Sequence, residues 1–445
     1  MGRRRERPDY ASLVSRSRWR NWAGDQRCRP VAIERPGSRD ELAEVLRRAA
    51  AAGRRVRASG SGHSFSDIAL TDGVMVRLDR LDRILDADRA TGLVRAEGGI
   101  ALGELNRRLD GLGLAFENLG DIDRQTLAGS IATGTHGTGI GFRSISAQLE
   151  AIELVAADGE TVELTSASDP DGFAAAAVGL GALGIVHAVT IRTVPAYTID
   201  RTDTPRPLDE TLARLDELNA SNDHFELYVF PHTDVALCRE SRRTEGPPRP
   251  RSPARVYAQE VMLENWVGAG FALAARAAPS HAPRLARLAS RGVGRSTKVD
   301  RSFRVFASER RIRFTEMEYA IPREHAREAT ERVLDVAARP ELGVAFPIEV
   351  RFSAPDDAML STAHGRDTCY VAVHQDRRLD WAPYFREVET VMADYGGRPH
   401  WGKRHTRSGE DLAALYPRWA DFQAARARLD PGRVFANSYI DRVLG

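Results

Sequence analysis

A short glycine-rich segment early in the chain combines a flexible backbone with a histidine. It follows a predicted strand at residues 54–57, and its members are Ser59, Gly60, Ser61, Gly62, His63 and Ser64. Glycine lacks a Cβ, so this segment can curl and bring several backbone N–H groups close to one phosphate. The histidine would then lie where a bound cofactor reacts. We interpret the segment as a cofactor-binding loop, with a plain structural turn as the equally simple alternative.

The dinucleotide-binding fingerprint of the Rossmann type is another interpretation of this loop. That fingerprint needs Gly-x-Gly-x-x-Gly at the start of a helix. Gly60 and Gly62 have the first spacing, but Phe65 stands at the place of the third glycine. Residues 67–78 are turn-rich and strand-like, so the context argues against a Rossmann loop.

A second glycine-rich stretch, at residues 118–141, strengthens the case for a cofactor. Its small residues let a flat ligand approach the backbone, although a tight packing seam would have the same composition. Two such stretches in one half of the chain, each with a histidine, favour one large phosphorylated cofactor. The segment 181–186 adds possible backbone contacts. The further candidate cofactor-binding residues are Gly120, Gly129, Ser130, Thr133, Gly134, His136, Gly137, Gly184 and Val186.

Composition and charge limit the kind of protein. The 445 residues, of which 42% are hydrophobic and 28% charged, indicate a globular protein with more than one core. A net charge of +2 argues against a nucleic-acid partner. Three scattered cysteines predict neither a metal site nor a disulfide framework and fit a reducing compartment. With no long apolar run and no secretory signal, we predict a cytoplasmic protein without a transmembrane segment.

The order of the predicted elements is typical of an α+β fold rather than a regular parallel winding. Ser38 and Glu41 predict a capped helix up to residue 52, and Asp158-Gly159 predicts a hairpin between residues 150–156 and 161–164. Other predicted strands lie at residues 31–34, 74–78, 92–97 and 185–194, with a helix at 102–109. After Pro195 we predict a helix at residues 208–219 and an exposed loop at 239–255.

Three motifs near the carboxyl end complete a family resemblance. They are Glu-Val-Arg-Phe at residues 349–352, Arg-Pro-His-Trp-Gly-Lys at 398–403 and Phe-Ala-Asn-Ser-Tyr at 435–439. Together with both glycine-rich stretches, these motifs resemble the vanillyl-alcohol oxidase and p-cresol methylhydroxylase superfamily of FAD enzymes. Within it they resemble the aldonolactone oxidoreductases. The resemblance spans roughly residues 20–445.

The resemblance implies a two-domain FAD-binding fold of the vanillyl-alcohol oxidase type with a substrate (cap) domain. The FAD-binding domain would contain residues 21–196 and, at the end of the chain, 408–445. The substrate domain would span residues 197–407, and residues 1–20 would be a basic extension. The resemblance also implies FAD bound covalently to His63 through its 8α-methyl carbon, with Asn437 as a further cofactor-binding residue.

The implied reaction is oxidation of a secondary alcohol on a sugar-derived 1,4-lactone of the L-gulono or D-arabinono type. Hydride would pass to flavin N5, and oxygen or another acceptor would reoxidise the flavin. An alditol oxidase acting on a polyol such as xylitol is the main alternative. His374 fits that alternative, whereas Asp376 stands where alditol oxidases carry threonine. The oxidative subunit of a lipid-linked sugar epimerase, or a flavin-binding protein without turnover, also stays open.

Glu349, Arg351 and Lys403 are the candidate catalytic residues. Glu349 and Arg351 are two residues apart, so on a strand both side chains point to one face. A carboxylate beside a cation can bind a hydroxyl and accept its proton, although a surface ion pair would show the same spacing. Arg351 and Lys403 would either stabilise charge at the flavin N1–C2 carbonyl or bind substrate oxygens. Lys403 is one of only two lysines, with Lys298, in an arginine-rich chain.

Overall fold

The computed structural model describes Tyr10 and residues 17–252, 294–308 and 312–445. Up to residue 195 the elements are β1 (Trp19–Arg20), β2 (Arg27–Cys28), β3 (Ala32–Glu34), α1 (Arg39–Ala51), β4 (Val56–Ser59), β5 (Val74–Arg77), β6 (Ile84–Asp88), β7 (Leu93–Glu97), α2 (Leu102–Gly111), β8 (Leu114–Ala115), α3 (Leu127–Ala132), β9 (Leu149–Val155), β10 (Thr161–Thr165), α4 (Pro170–Ala176), β11 (Ile185–Arg192) and β12 (Val194–Pro195).

The later described residues form a second set of elements. These are β13 (Thr198–Pro207), α5 (Leu208–Ala213), α6 (Leu215–Ala220), β14 (His224–Val229), β15 (Val235–Thr244), β16 (Ser296–Arg301), α7 (Ser302–Phe306), β17 (Phe314–Pro322), α8 (Ala326–Ala337), β18 (Ile348–Ser353), β19 (Thr368–Asp376), α9 (Ala382–Ala393), β20 (Arg398–Pro399), α10 (Gly409–Ala413), α11 (Trp419–Leu429) and α12 (Ser438–Leu444). Short 3₁₀ helices lie at Ile145–Gln148, Arg323–His325 and Pro340–Leu342.

The strands pair in sheets of different kinds. A parallel sheet has the order β3-β5-β4, and an antiparallel sheet has the order β10-β9-β11-β7-β6. An eight-stranded antiparallel sheet has the order β16-β13-β15-β14-β18-β19-β17-β20. The mixture of helices with parallel and antiparallel sheets confirms the predicted α+β class.

Local signals in the first part of the chain predicted its elements well. The predicted hairpin is present, since β9 and β10 pair antiparallel around Asp158-Gly159. Ser38 caps α1, and its side chain accepts a hydrogen bond from the backbone N–H of Glu41. The Glu41 carboxylate accepts from the N–H of Gly37 (2.8 Å) rather than from that of Ser38, so only half of the predicted capping box forms.

Two predictions after Pro195 are wrong in part. The helix expected at residues 208–219 is two helices, because Arg214 leaves the helical region with φ −114° and ψ 19°. The exposed loop expected at residues 239–255 is a strand as far as Thr244, because β15 pairs with β13 on one side and β14 on the other. Residues 253–255 lie outside the described residues.

The eight-stranded sheet has one apolar and one polar face. Met317, Leu227, Val350 and Val371 lie in one hydrophobic core cluster, which also contains buried residues of α5, α6, α8 and α9. Because side chains alternate along a strand, their sequence neighbours point to the opposite face. That opposite face carries charged and hydroxyl side chains, and it borders the candidate site.

The end of the chain packs against its first part. Buried residues of α11 and α12 share a hydrophobic cluster with residues of α2 and α3. The predicted division into residues 21–196 with 408–445 and residues 197–407 stays a prediction. Residues 1–9 and 11–16 of the predicted basic extension lie outside the described part. None of the helices in that described part is long and apolar enough to cross a bilayer.

Candidate active site

The first glycine-rich loop leaves the end of β4 and turns sharply at Gly62. This residue has φ +73°, a left-handed conformation that favours glycine, and its carbonyl accepts from the N–H of Trp22 (2.7 Å). Gly60 is required for another reason, because a Cβ there would overlap with the hydroxyl of Thr126. Thr126 is fixed in turn, since its side chain caps α3 by accepting from Gly129 N–H. The backbone of the first glycine-rich stretch at Gly60 therefore packs against the Thr126 side chain of the second stretch.

His63 lies on this loop as a neutral imidazole. Its ring stacks on that of Trp22 with centroids 5.4 Å apart and an interplanar angle of 24°. Burial, together with the nearby positive charges of Lys403 and Arg124, lowers the pKa of His63 to about 4. The imidazole is therefore neutral at physiological pH, and one ring nitrogen keeps its lone pair.

The loop borders a cleft of about 890 Å³ that is lined mainly by small side chains and backbone. Of the predicted cofactor-binding residues, those that line it are Ser59, Gly60, Ser61, Gly62, His63, Ser64, Gly129, Thr133, Gly184 and Val186. The cleft has the size of an ordinary ligand site. Arg57, which sequence reasoning missed, is buried at one side and donates to the carbonyls of Ile68, Leu180, Gly181 and Phe435. It ties β4 to three distant segments.

The structure places other predicted cofactor-binding residues outside this cleft. Ser130 is fully buried and its hydroxyl donates to the carbonyl of Leu127 (2.8 Å). Gly134 forms a left-handed turn with φ +68°. Asn437 caps α12, and its amide donates to the carbonyls of three residues, Asp67, Ile68 and Leu70, that follow the first loop. Gly120 and Gly137 line a separate small cavity beside Arg351.

Glu349 and Arg351 project from β18 onto the polar face and form an ion pair. Both are buried, so the surface ion pair considered from spacing is not what the structure shows. Arg351 also donates through Nε to Glu226 (2.8 Å) and lies 3.4 Å from Asp121 Oδ2. Burial disfavours its charge, but Glu349, Asp121 and Glu226 raise the pKa of Arg351 well above its ordinary value. The hydroxyl of Tyr228 donates to Glu349 (2.9 Å).

Sequence reasoning missed the residues that hold this pair. Glu226 accepts from Arg239 (2.7 Å) on its other oxygen, and Arg239 contacts Asp203 (3.1 Å). Although burial opposes it, the guanidiniums of Arg351 and Arg239 lower the pKa of Glu226 to about 2. A sequence pattern could have pointed to Glu226. In β14, polar residues alternate with Phe225 and Leu227, which is typical of a strand with one polar face.

Lys403 lies on a turn that is tied to the first loop. Gly402 accepts from the N–H of Phe65 (2.7 Å), and the carbonyl of Trp401 accepts from the Ser66 hydroxyl (2.8 Å). The ammonium is 2.5 Å from Glu316 Oε2 and 3.8 Å from Glu318 Oε2, two carboxylates that sequence reasoning missed. Burial alone would lower the pKa of Lys403, but these carboxylates raise it more, so the pKa lies above its ordinary value.

The three candidate catalytic residues therefore belong to two neighbouring clusters rather than one. Arg351 and Glu349 contact each other, whereas Lys403 pairs with carboxylates of β17. Asp121 lies between the clusters: it is 3.4 Å from Arg351, and its charge raises the pKa of Lys403. It directly follows Gly120, so the second glycine-rich stretch reaches both clusters.

His136, Glu318 and His400 bring ligand atoms within 4.8 Å of one another, as a metal site would. The hydrogen bonds of His400 do not suit a metal. Its Nδ1 accepts from the N–H of Gly402 (3.1 Å), and burial lowers its pKa to about 3, so the neutral ring carries its proton on Nε2. Neither nitrogen then offers a free lone pair, and this tautomer follows from the hydrogen bond.

The cleft fits a phosphorylated flavin cofactor. Its backbone-rich wall allows close approach, as the crowded position of Gly60 illustrates. A neutral histidine lines it, and a half-buried cation, Lys403, lies near that histidine. These are the groups that a pyrophosphate and a redox-active ring system require from a protein.

Comparisons with known proteins agree with this arrangement. Residues 30–165 match the FAD binding domain family, and residues 189–443 match the D-arabinono-1,4-lactone oxidase family. L-gulono-1,4-lactone dehydrogenase of Mycobacterium tuberculosis is 52% identical to this chain, covering 96% of it and 99% of the relative. L-gulonolactone oxidase of Mus musculus is 34% identical over 96% and 98% of the two chains. Alditol oxidase of a Streptomyces species is 32% identical over 95% and 98%.

Solved structures show the same fold at low sequence identity. A solvent-stable cholesterol oxidase has a TM-score of 0.76 at 19% identity, covering 96% of this chain and 97% of the other. Cholesterol oxidase from B. sterolicum has a TM-score of 0.78 at 15% identity, covering 96% of each chain. Fold and family matches together define an FAD-dependent oxidoreductase of the vanillyl-alcohol oxidase type that acts on CH–OH donors. The chain belongs to the D-arabinono-1,4-lactone oxidase family of sugar-lactone oxidoreductases.

Proposed function

We propose that this chain oxidises a secondary hydroxyl of a 1,4-lactone of the L-gulono or D-arabinono type. The observation that carries the proposal is the position of Lys403 near His63, together with Asp121, which links Lys403 to the Glu349–Arg351 pair. Bound FAD would supply the acceptor for a hydride at its N5 atom and would pass electrons on to oxygen or another acceptor. The relatives named for L-gulono-1,4-lactone and L-gulonolactone support this substrate class.

Arg351 and Glu349 would bind the reacting hydroxyl and take its proton. The guanidinium donors of Arg351 orient an oxygen, and a Glu349 carboxylate oxygen accepts the proton. Three carboxylates, those of Glu349, Glu226 and Asp121, share the Arg351 guanidinium.

Lys403 would stabilise the negative charge that develops at the cofactor. An ammonium that ion pairs already hold in place needs little reorganisation during the reaction, which is why such charges accelerate it. The neighbouring phenyl ring of Phe65, 5.3 Å from Nζ, and the two carboxylates of β17 hold the ammonium in place.

The cofactor-binding role extends to the residues of both glycine-rich stretches. We assign FAD binding to the loop from Ser59 to Ser64 and to the small residues that line the cleft with it. The FAD-binding domain would combine residues 21–196 with 408–445, a division supported by the shared apolar cluster of α2, α3, α11 and α12.

A covalent bond between His63 and the 8α-methyl carbon of FAD is part of the proposal. Only the neutral ring of His63 can bond to carbon. The lowered pKa of His63 means that this neutral form predominates. Denatured protein should keep yellow flavin fluorescence on a gel, and His63→Ala should lose it. If the denatured wild type releases all its flavin, the bond is absent, while the proposed reaction stands.

An anaerobic bleaching screen tests the substrate class. The flavin should be reduced by L-gulono-1,4-lactone or D-arabinono-1,4-lactone, and Glu349→Gln should slow that reduction strongly. Faster bleaching by xylitol would favour an alditol oxidase, the second candidate, which the similarity to the Streptomyces alditol oxidase supports. Bleaching by a polyprenyl-linked sugar alone would instead favour an epimerase subunit.

A further inference from the structure

A short hairpin near the start of the chain lies against the loop of His63. Its two strands, β1 and β2, pair antiparallel, and residues 21–26 form the turn between them. Asn21 is buried and organises this turn. Its side-chain oxygen accepts from the backbone N–H groups of three turn residues, Gly24, Asp25 and Gln26. The hairpin is therefore a locally fixed structure.

The hairpin holds the backbone of the loop on both sides of His63. The N–H of Trp22 donates to the carbonyl of Gly62 (2.7 Å), the residue before the histidine. The side-chain amide of Asn21 donates to the carbonyl of Ser64 (3.1 Å), the residue after it. With both neighbours tied, the freedom that His63 keeps lies in its side-chain torsions.

The indole of Trp22 limits that remaining freedom. It stacks on the imidazole of His63 with ring centroids 5.4 Å apart and an interplanar angle of 24°. Two phenyl rings meet the indole at steep angles, that of Phe65 with centroids 6.4 Å apart and that of Phe314 on β17 with centroids 5.7 Å apart. The indole packs against the apolar cluster that contains both phenyl rings. It is thus held by the loop and by the eight-stranded sheet, and it offers the imidazole a flat surface.

The bond proposed between His63 and FAD makes strict demands on the orientation of this ring. A ring nitrogen with a free lone pair must meet the 8α-methyl carbon at near-contact distance. Formation of the N–C bond removes one hydrogen from the methyl group and one from the other ring nitrogen, as two protons and two electrons in all. The electrons pass to the oxygen or other acceptor of the proposed function. A neutral imidazole held in one orientation meets these demands.

We propose that Trp22 is a positioning residue for the bond between His63 and FAD, because its stacked indole holds the imidazole in the orientation that meets the 8α-methyl carbon. The inference rests on the proposed function, which includes that bond. Without a flat ring at residue 22 the imidazole could rotate, and a misplacement of about 1 Å can slow a reaction about 100-fold. Attachment of FAD should then be slow, whereas noncovalent binding, for which the whole cleft provides the wall, should persist.

The time course of attachment tests this role. Cells are sampled at intervals after induction, and the purified holoenzyme is assayed for total flavin and for flavin that stays with the protein after denaturation. When attachment in the wild type is complete, Trp22→Leu should carry on the order of one tenth of the covalent flavin at similar total flavin. Trp22→Phe keeps a flat ring and should attach nearly as much as the wild type. Trp419→Leu is the matched control, because Trp419 is also a half-buried indole beside another aromatic ring, that of Tyr416, but belongs to α11.

Several results would overturn the inference. Attachment in Trp22→Leu at the wild-type rate is one, and attachment in Trp22→Phe as slow as in Trp22→Leu is another. Loss of total flavin from Trp22→Leu in proportion to its covalent flavin would show a role in cofactor binding instead. If thermal unfolding shows that Trp22→Leu is not folded, Trp22→Met, with a longer and flexible side chain, takes its place with the same expectations.

Anaerobic bleaching separates this inference from the proposed reaction. If the wild type bleaches with L-gulono-1,4-lactone but never attaches its flavin, the inference fails and the proposed oxidation stands. If attachment follows the expected order of variants but no lactone or polyol bleaches the flavin, the inference stands and the proposed oxidation fails.

Discussion

The cofactor cleft and the polar face of the eight-stranded sheet are built from different kinds of residue. The cleft is lined mainly by small residues and backbone from three stretches of sequence. The polar face is made of single charged side chains from separate strands, such as Glu226 on β14, Glu318 on β17 and Arg351 on β18. The first kind of site tolerates little added volume, and the second tolerates little change in charge. Changes of volume and changes of charge should therefore affect the two regions differently.

The largest effect should come from removing the central cation of the polar face. Arg351→Met leaves three carboxylates, those of Glu349, Glu226 and Asp121, without their shared partner. Removal of one donor to a reacting oxygen typically lowers a rate about 100- to 1000-fold, so the rate of flavin reduction should fall at least about 100-fold. Arg206→Met is the control, because Arg206 pairs with Glu240 outside this cluster. Its rate of flavin reduction should equal that of the wild type. A loss for Arg351→Met of less than about threefold would show that the cluster is not catalytic.

The acid stability of the polar face should depend on Glu226. Its pKa is about 2 in the folded protein against an ordinary value of 4.5, so its stabilising contribution is present above pH 4.5 and lost as the pH falls towards 2. Urea unfolding between pH 5 and 3 should show the wild type losing stability more steeply than Glu226→Gln, by on the order of 2 kcal/mol. Glu240→Gln should keep the wild-type slope, and equal slopes for all three proteins would contradict the prediction.

A smaller effect is expected from added volume in the cleft. Gly60→Ala would bring a methyl group against Thr126, which the cap of α3 holds in place. We expect FAD affinity, measured by reconstitution after removal of any loosely bound flavin or by flavin content on purification, to fall on the order of tenfold, with flavin reduction by the remaining holoenzyme little changed. Gly111→Ala, where no atom lies within 4 Å of the new methyl group, is the matched control. Full flavin content in Gly60→Ala would show that the loop adapts.

The smallest effect should follow from exchanging one cation for another. Lys403→Arg keeps the charge but replaces a compact ammonium between Glu316 and Glu318 by a wider planar group. We expect flavin reduction to slow on the order of tenfold, whereas Lys298→Arg on β16 should be silent. Equal rates for Lys403→Arg and the wild type would mean that the site needs only a positive charge.

The sequence by itself determined the cleft and much of the fold around it. Glycines, caps and the Asp158-Gly159 turn act within a few residues, so their effects can be predicted without knowing the distant chain. The loop around His63 and the hairpin of β9 and β10 were predictable for that reason. The combined motifs also predicted the FAD-binding fold, the FAD cofactor and the lactone oxidoreductase family.

Only the tertiary structure decided which charged residues share the polar face. Glu226 and Arg351 are 125 positions apart in sequence, and strand pairing between β14 and β18 brings them to 2.8 Å. Pairing of β15 with β13 and β14 turned the predicted loop at Arg239 into a strand, and Lys403 found its partner in Glu316 of β17. Spacing within one strand predicts which face a side chain occupies, but register between strands chooses its partners. A charge buried on that face must find a counter-charge nearby, and only the folded sheet supplies one.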